Sequence, residues 1–242
     1  MGIRHSFDNS FFDTWSNEMA YVLGFVFADG HLIDAPYMRG AYVCVTNTDL
    51  DRVNAVRRLL GAEHRVRIIE KGGNFKTAYQ LRIGSKHLFM QLVRYGVTPH
   101  KSLTMRFPDV PTPYLPAFVR GYFDGDGCVH LARTPRGAVK KLLTVFTSGS
   151  QPFLQRIHDI LKKEIGIQGP GLYQHGSSKS AYQLRYSTRD SLRLFLYLYD
   201  PKPEADLYLE RKYDIFKQYL EMRGLEPNTI PSILDKKGPV AN

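Results

Sequence analysis

Two short segments that end in Asp-Gly constrain this chain more than any other feature of its sequence. Val22–Gly30 reads VLGFVFADG and Val119–Gly127 reads VRGYFDGDG, which places Asp29 and Asp126 97 residues apart. Each segment is apolar on nearly all sides, which is typical of a buried helix. The glycine that follows each aspartate can stop a helix by adopting a positive φ. The pattern therefore predicts two buried helices, each of which ends at its aspartate.

Each predicted helix carries a glycine in its middle and a second small residue four positions later. These pairs are Gly24 with Ala28, and Gly121 with Gly125. Because glycine in a helix interior costs about 1 kcal/mol relative to alanine, its presence predicts a close approach of two backbones along a flat strip. If the two strips pack together, the aspartates lie in one small volume. Two close carboxylates either share a proton or bind cations between them.

The rest of the chain repeats at nearly the same spacing as the two segments. Ala78–Arg82 and Ala181–Arg185 both read AYQLR and are offset by 103 residues. Apolar periodicity, helix caps and turn residues predict the order helix–strand–strand–helix–strand–strand–helix in each repeat. The predicted boundaries are a first unit at 1–98 with its helix at 17–29, a proline-rich linker at 99–116, a second unit at 117–225 with its helix at 114–126, and a loosely ordered tail at 226–242.

The charge balance and the cysteine count narrow the class of protein. Lys and Arg number 33 against 23 Asp and Glu, a formal net charge of +10. That balance fits a soluble surface and also a polyanionic partner. The two cysteines, Cys44 and Cys128, argue against a disulfide scaffold and for a reducing, intracellular compartment. No apolar run approaches the ~20 residues that span a bilayer, so we expect no membrane partner.

Both segments resemble the LAGLIDADG motif of the homing endonucleases, in the form that carries two motifs in a single chain. Asp29 and Asp126 stand at the eighth place of the motif. The copies depart from it elsewhere, because Leu23 and Arg120 occupy the second-place alanine and Phe27 replaces the first aspartate. The departures lie away from the aspartate that carries the resemblance.

The resemblance implies an α+β fold of two pseudo-symmetric αββαββα units. Their antiparallel, saddle-shaped sheets would be packed through a central two-helix interface at Gly24 and Gly121. It further implies a monomeric, site-specific endonuclease, encoded within an intron or as a free-standing frame. Such an enzyme makes a metal-dependent double-strand break in a long, asymmetric double-stranded DNA target by phosphodiester hydrolysis.

The same resemblance implies a metal site. Asp29 and Asp126 would bind divalent cations together with the backbone carbonyls of Ala28 and Gly125. Such hard oxygen ligands suit Mg²⁺, and we expect Mn²⁺ or Ca²⁺ to substitute for it in binding. In phosphodiester hydrolysis a divalent cation activates water and relieves charge on the leaving oxygen.

Three further residues match catalytic positions of the family. Lys101 and Lys212 follow the last helix of each unit, where family members carry a basic residue close to the metal. Their alternative reading is a solvated lysine or a phosphate contact. Asn47, just past the second strand, matches a water-ordering amide.

Alternation along the predicted strands sends apolar side chains to a core and polar ones to the opposite face. Any half-exposed sheet shows this alternation, but here the polar set is rich in Arg and Gln, which form bidentate bonds with guanine and adenine. Cations at the hairpin tips are better placed for phosphates. The predicted DNA contacts are Arg65, Arg67, Lys71, Lys76, Gln80, Arg82, Arg133, Arg136, Lys140, Gln174, Lys179, Gln183 and Arg185.

A second function remains open, since RNA maturases and non-cleaving DNA-binding proteins share the fold. Loss of either motif aspartate would favour that alternative. Both aspartates are present in this chain.

Overall fold

The computed structural model describes residues 5–35, 40–70, 72, 76–99, 101–169, 171–174 and 181–235. The chain divides into two compact units, residues 1–125 and 126–242. In the part of the chain described, no helix is long and apolar enough to cross a membrane.

The first unit follows the predicted order of elements. Its helices and strands are α1 (Asn17–Asp29), β1 (Gly30–Ala35), β2 (Gly40–Asn47), α2 (Leu50–Leu59), β3 (Arg67–Ile69), β4 (Ala78–Gly84), α3 (Lys86–Arg94) and α4 (Leu115–Asp126), whose last residue begins the second unit. Short 3₁₀ helices at Lys101–Leu103 and Thr112–Tyr114 connect α3 to α4.

The sheet of the first unit is antiparallel, with strand order β1-β2-β4-β3. Val45 pairs with Leu81, and both side chains are buried in the core. Cys44 pairs with Arg82 on the opposite face, because successive strand residues point to opposite sides. The predicted division into an apolar and a polar face is therefore present, and we call the polar side the outer face of this sheet.

Helices α1 and α4 approach at their glycines. A Cβ atom on Gly24 would lie 2.1 Å from the carbonyl oxygen of Phe118, and one on Gly121 would lie 2.0 Å from that of Tyr21. No residue with a side chain fits at either position without a shift of the backbone. The helix interior tolerates the low helix propensity of glycine because only glycine permits this contact.

The end of α1 differs from the prediction of a glycine with positive φ. Gly30 has φ −90° and ψ 153°, so the chain passes directly from the helix into β1 in an extended conformation. Glycine is needed there for space instead, since a Cβ would lie 2.6 Å from the carbonyl oxygen of Val26.

The second unit repeats the order of strands and helices. It contains β5 (Gly127–Arg133), β6 (Val139–Ser148), α5 (Gln151–Ile165), β7 (Leu172–Gln174), β8 (Tyr182–Tyr186), α6 (Thr188–Tyr199), α7 (Glu210–Met222) and α8 (Ile230–Asp235). Its antiparallel sheet has the order β5-β6-β8-β7, which corresponds strand by strand to the first sheet. Its outer face is the one that carries Gln183 and Arg185, since Leu184 between them is buried.

Two segments are more ordered than their composition indicates. In the proline-rich segment 99–116, Met105 and Val110 are buried in the first unit. In residues 226–235, the described part of the segment 226–242, α8 packs against α6 and Ile230 is fully buried. A few apolar side chains suffice to hold the described part of each segment, although prolines and charges dominate its sequence.

Candidate functional site

Asp29 is the last residue of α1 and is half-buried. Its Oδ2 accepts a 2.7 Å hydrogen bond from Nδ2 of Asn47, the last residue of β2. The other amide atom of Asn47, Oδ1, accepts a 2.7 Å bond from the backbone N–H of Asp49. Asn47 is thereby fixed at both ends of its amide and orients the Asp29 carboxylate.

Lys101 and Lys212 occupy matching environments in the two units. The Lys101 side chain is 5% exposed, and its Nζ donates to the carbonyl oxygen of Gly30 at 2.7 Å. Lys212 is 3% exposed, and its Nζ donates to the carbonyl oxygen of Gly127 at 2.5 Å. Each bond ends on the residue that follows a motif aspartate. This burial argues against the reading of either lysine as a solvated surface cation.

The second unit has no amide at the place of Asn47. Ser148 stands there, and its Oγ accepts a 3.0 Å bond from the backbone N–H of Ser150, as Oδ1 of Asn47 does from Asp49. A serine side chain is too short to copy both bonds of an asparagine. Asp126 ends α4 and is exposed.

Gly125 lies directly against the end of α1. A Cβ atom on it would stand 2.3 Å from Cβ of Ala28 and 2.8 Å from Oδ2 of Asp29. The main chain that leads to Asp126 therefore passes beside the Asp29 carboxylate, and a larger residue at position 125 would displace that carboxylate.

The donor chemistry around Asp29 fits a hard divalent cation that is held only partly by protein. Among the described residues, no three His, Cys, Asp or Glu side chains form a group that could hold a metal ion. Mg²⁺ is commonly bound by one or two carboxylates plus substrate phosphates. A carboxylate such as that of Asp29, without a protein cage around it, suits that mode of binding.

A buried polar network ties α1, α2 and α4 together in the first unit. The hydroxyl of Tyr21 donates to Oδ2 of Asp124 at 2.8 Å, and Nη1 of Arg52 donates to that hydroxyl at 3.4 Å. Burial and the Asp124 charge raise the pKa of Tyr21 well above its usual value. Sequence reasoning missed this network, because Arg52 lies on the apolar face of α2, where no partner was visible.

The outer face of the first sheet carries several of the predicted DNA contacts. Arg67 pairs with Gln80 across β3 and β4, so the two side chains share that face. Nε2 of Gln80 donates to Oγ1 of Thr46 at 3.0 Å. The guanidinium carbon of Arg82 lies 3.8 Å from the centroid of the Tyr42 ring.

The outer face of the second sheet has a related but different arrangement. Nε2 of Gln183 donates to Oγ1 of Thr147 at 3.3 Å, which repeats the bond of its counterpart Gln80 in the first unit. The Nε of Arg185 donates to Oε1 of Gln183 at 2.9 Å. Arg185 is thus tethered to a neighbouring side chain, whereas Arg82 is stacked on a ring.

The prediction that Gln174 shares the outer face with Gln183 is wrong. Gln174 pairs with Tyr182, and Tyr173 is the residue opposite Gln183. Paired residues project to the same side of a sheet, so Tyr173 lies on the outer face and Gln174 on the other. The register of a strand of only three residues could not be read from its sequence.

The remaining predicted cations lie outside the central strands. Arg65 and Lys76 are exposed just before β3 and β4, and Lys140 is exposed near the β-bulge in β6. Arg133 is exposed and donates from Nη1 to the carbonyl oxygen of Gly137, so it also holds its own turn. The exposed Arg136 is in that turn, and Lys71 and Lys179 lie outside the described residues.

Known proteins resemble this chain in part of its sequence and in its fold. A sequence model of the LAGLIDADG-like domain matches residues 114–198. None of the curated proteins compared with the chain matches it. Solved structures match almost the whole chain.

A mutant of I-SmaMI is 15% identical, with a TM-score of 0.55, and the match covers 93% of this chain and 100% of that one. The LAGLIDADG homing endonuclease I-GzeII, in complex with its DNA target, is 11% identical with a TM-score of 0.55 over 95% of this chain and 100% of that one. I-SmaMI bound to uncleaved DNA with calcium ions is 13% identical, with a TM-score of 0.52 over 90% and 94%. Residues 114–198 thus match the LAGLIDADG-like domain, and the chain over nearly its full length has the fold of the LAGLIDADG homing endonucleases.

Proposed function

We propose that this protein is a homing-type endonuclease that makes a metal-dependent double-strand break in a long, asymmetric DNA target. The observation that carries the proposal is the repeated lysine contact. In each unit a buried lysine donates to the carbonyl oxygen immediately after a motif aspartate. Two buried ammonium groups at matching carbonyls put positive charge beside both motif aspartates, which supports catalysis over binding alone.

In this proposal Asp29 and Asp126 hold the cation, with the backbone carbonyls of Ala28 and Gly125. Magnesium bound there would supply Lewis-acid activation of water and stabilisation of the leaving oxygen. A structure of I-SmaMI contains calcium ions and uncleaved DNA, which supports the use of a divalent cation. Asn47 keeps the Asp29 carboxylate in one orientation through its 2.7 Å bond.

The two lysines would act on the charge that develops at the phosphate. Lys101 and Lys212 are buried, so their attraction to an approaching phosphate is screened less by water than that of a surface lysine. Their hydrogen bonds to Gly30 and Gly127 fix the direction of the ammonium groups before substrate arrives. Such preorganised positive charge favours a transition state that carries extra negative charge.

The outer faces of the two sheets would bind the DNA duplex. In this proposal Gln80, Arg82, Gln183 and Arg185 contact base edges, and the exposed cations beyond the strands contact phosphates. Because the two faces differ in how their arginines are held, we propose that the two half-sites differ in sequence. A net charge of +10 favours association with DNA and predicts a steep dependence on salt.

We further propose that the protein acts as a monomer, from an intron or a free-standing frame, in a reducing compartment. Both cysteines are free thiols, Cys44 buried and Cys128 exposed. This agrees with a chain that needs no disulfide.

The test first measures binding and then cleavage. The protein is mixed with a randomised library of duplexes in the presence of calcium, and the duplexes that it retains are sequenced. These duplexes are then incubated with the protein and magnesium. We expect cleavage of both strands of the selected sequence, and none after chelation of the metal. Asp29→Asn and Asp126→Asn should each lower the cleavage rate at least about a hundredfold while binding persists. Asp214→Asn, at an exposed position of α7, is the matched control.

The outcomes separate the candidate functions. A wild-type protein that selects a DNA sequence but leaves it intact in magnesium would be a DNA-binding protein without nuclease activity. A protein that selects no DNA and binds structured RNA instead would be a maturase. Full cleavage by the Asp29→Asn, Asp126→Asn double variant would show that these aspartates are not part of the catalytic site.

A further inference from the structure

We propose that Tyr42 is a positioning residue that holds the guanidinium group of Arg82 ready to read a guanine base in the target. The inference rests on the proposed DNA-binding function and adds to it a determinant of sequence specificity. It concerns the outer face of the first sheet, where Tyr42 and Arg82 lie on the neighbouring strands β2 and β4.

The tyrosine ring is seated in space left by two glycines. Tyr42 pairs with Gly84 across β2 and β4, and Gly40 lies two residues before it in β2. A Cβ atom would lie 2.5 Å from the ring on Gly40 and 3.2 Å from it on Gly84. Alanine at position 40 would push the ring from its place, and position 84 has little room to spare. The ring therefore occupies space that side chains at positions 40 and 84 would take.

The guanidinium group of Arg82 rests on this ring and not on a carboxylate. Its central carbon is 3.8 Å from the ring centroid, well within the distance at which a cation is attracted to an aromatic face. Its Nε is buried and has no hydrogen-bond partner. In the part of the chain described, Arg82 forms no ion pair either, and Cys44, its partner across the strands, is uncharged and buried.

The Nε of Arg82 is thus a buried donor that lacks an acceptor among the described residues. Burial of a donor without an acceptor is unfavourable. A ligand that supplies acceptors would therefore bind favourably at this position. Guanine offers O6 and N7 on its major-groove edge, spaced for two parallel bonds from one guanidinium. The position in the middle of a strand favours a base edge over a phosphate, which the exposed cations outside the strands are better placed to contact.

The second unit provides an internal comparison. Arg185 is the counterpart of Arg82, but its Nε donates to Gln183, and its guanidinium carbon lies 5.9 Å from the centroid of the Tyr173 ring. The counterpart of Tyr42 in β6 is Leu143, which pairs with His130. The second unit thus has leucine at the place of Tyr42, and its arginine lies farther from the ring that the structure gives it.

The experiment measures base preference by binding, so it does not depend on cleavage. Wild type, Tyr42→Leu, Tyr42→Phe and Arg82→Lys are each used to select duplexes from a randomised library in the presence of calcium. We expect wild type and Tyr42→Phe to prefer guanine at one position of the first half-site. Tyr42→Leu and Arg82→Lys should lose that preference at the same position, by roughly 5- to 150-fold, and keep the preferences elsewhere.

Leu143→Tyr is the matched control, because it places a ring in the second unit and should leave the first half-site unchanged. If wild type selects a sequence but Tyr42→Leu alters affinity evenly at all positions, or not at all, the inference is overturned while DNA binding stands. If wild type selects no sequence, both this inference and the proposed function fail. Thermal unfolding of each variant shows whether it is folded. If Tyr42→Leu does not fold, Arg82→Lys tests the guanine preference at the same position of the target.

Discussion

The side-chain nitrogen of Lys101 donates a 2.7 Å hydrogen bond to the carbonyl oxygen of Gly30, which directly follows Asp29. This bond joins the segment after α3 to the junction of α1 and β1. It places a buried positive group at the end of a helix, where the carbonyl dipoles favour a cation. The aspartate at the same helix end is disfavoured by those dipoles, and the lysine offsets part of that cost.

Replacement of this lysine should affect catalysis more than folding. Lys101→Met removes the charge at the proposed site, and we expect the cleavage rate to fall roughly 100- to 1,000-fold. The carbonyl of Gly30 loses its donor, so the free energy of unfolding should fall by about 1–3 kcal/mol. Single-turnover cleavage and urea unfolding measure the two effects. Lys217→Met, at an exposed position in α7, should change neither, and a Lys101→Met enzyme of normal rate would exclude a catalytic role.

Removal of the Asn47 amide should weaken the hold on the metal. Asn47→Ala frees the Asp29 carboxylate from its 2.7 Å bond, and loss of such an outer contact typically costs 10- to 100-fold in metal affinity. We expect the magnesium concentration for half-maximal cleavage to rise by about that factor. Ser148→Ala, at the corresponding place in the second unit, should leave the magnesium requirement nearly unchanged. Equal effects of the two substitutions would contradict an orienting role for Asn47.

The contact between α1 and α4 should be intolerant of a single methyl group. Gly24→Ala would put Cβ 2.1 Å from the carbonyl oxygen of Phe118, and relief of such a clash requires the backbones to separate. We expect the free energy of unfolding to fall by roughly 1–3 kcal/mol, measured by chemical denaturation. Gly72→Ala is the matched control, since no atom of the described residues lies within 4 Å of a Cβ at that position. If Gly24→Ala were as stable as wild type, α1 and α4 could not pack through the close contact at Gly24.

Acidification should lower the free energy of unfolding through His64. Burial, and then the nearby His5, lower the pKa of His64 from its ordinary 6.5, although Glu63 opposes the shift. A histidine with a lowered pKa binds its proton more readily in the unfolded chain. Its contribution to the free energy of unfolding is therefore complete above pH 6.5 and declines as the pH falls below that value.

The measurement is the free energy of unfolding between about pH 7.5 and pH 5. Wild type should lose stability over that range, and His64→Gln should lose less. Glu63 does not confuse the result, because a hydrogen bond from the Ser6 backbone lowers its pKa from 4.5, below this range. An identical pH dependence of the two proteins would remove His64 as the cause.

The core of the fold could be predicted from the sequence because its signals are local. A glycine in the middle of an apolar helix has few explanations other than close packing, and Gly24 and Gly121 are both in such contacts. Lys101 and Lys212 could be proposed by position because each follows the last helix of its repeat. The alternation in AYQLR likewise separates the core and outer faces in both sheets.

The rest depends on contacts that no local pattern encodes. The side of the sheet on which Gln174 lies follows from a register set across β7 and β8. The stack of Arg82 on Tyr42 needs the two glycines that make room for the ring. The partner of Arg52 is 31 residues away in the chain. In each case the contact joins two different strands or helices.

The second motif helix packs with the first compact unit, while the sheet that follows it in the chain belongs to the other. A gene divided within residues 99–116 would therefore yield an amino-terminal half whose α1 has a bare apolar flank at Gly24. Such a fragment would aggregate or pair with another copy of itself. Hybrid proteins that exchange one sheet should instead be joined after Asp126, so that the helix pair is inherited intact.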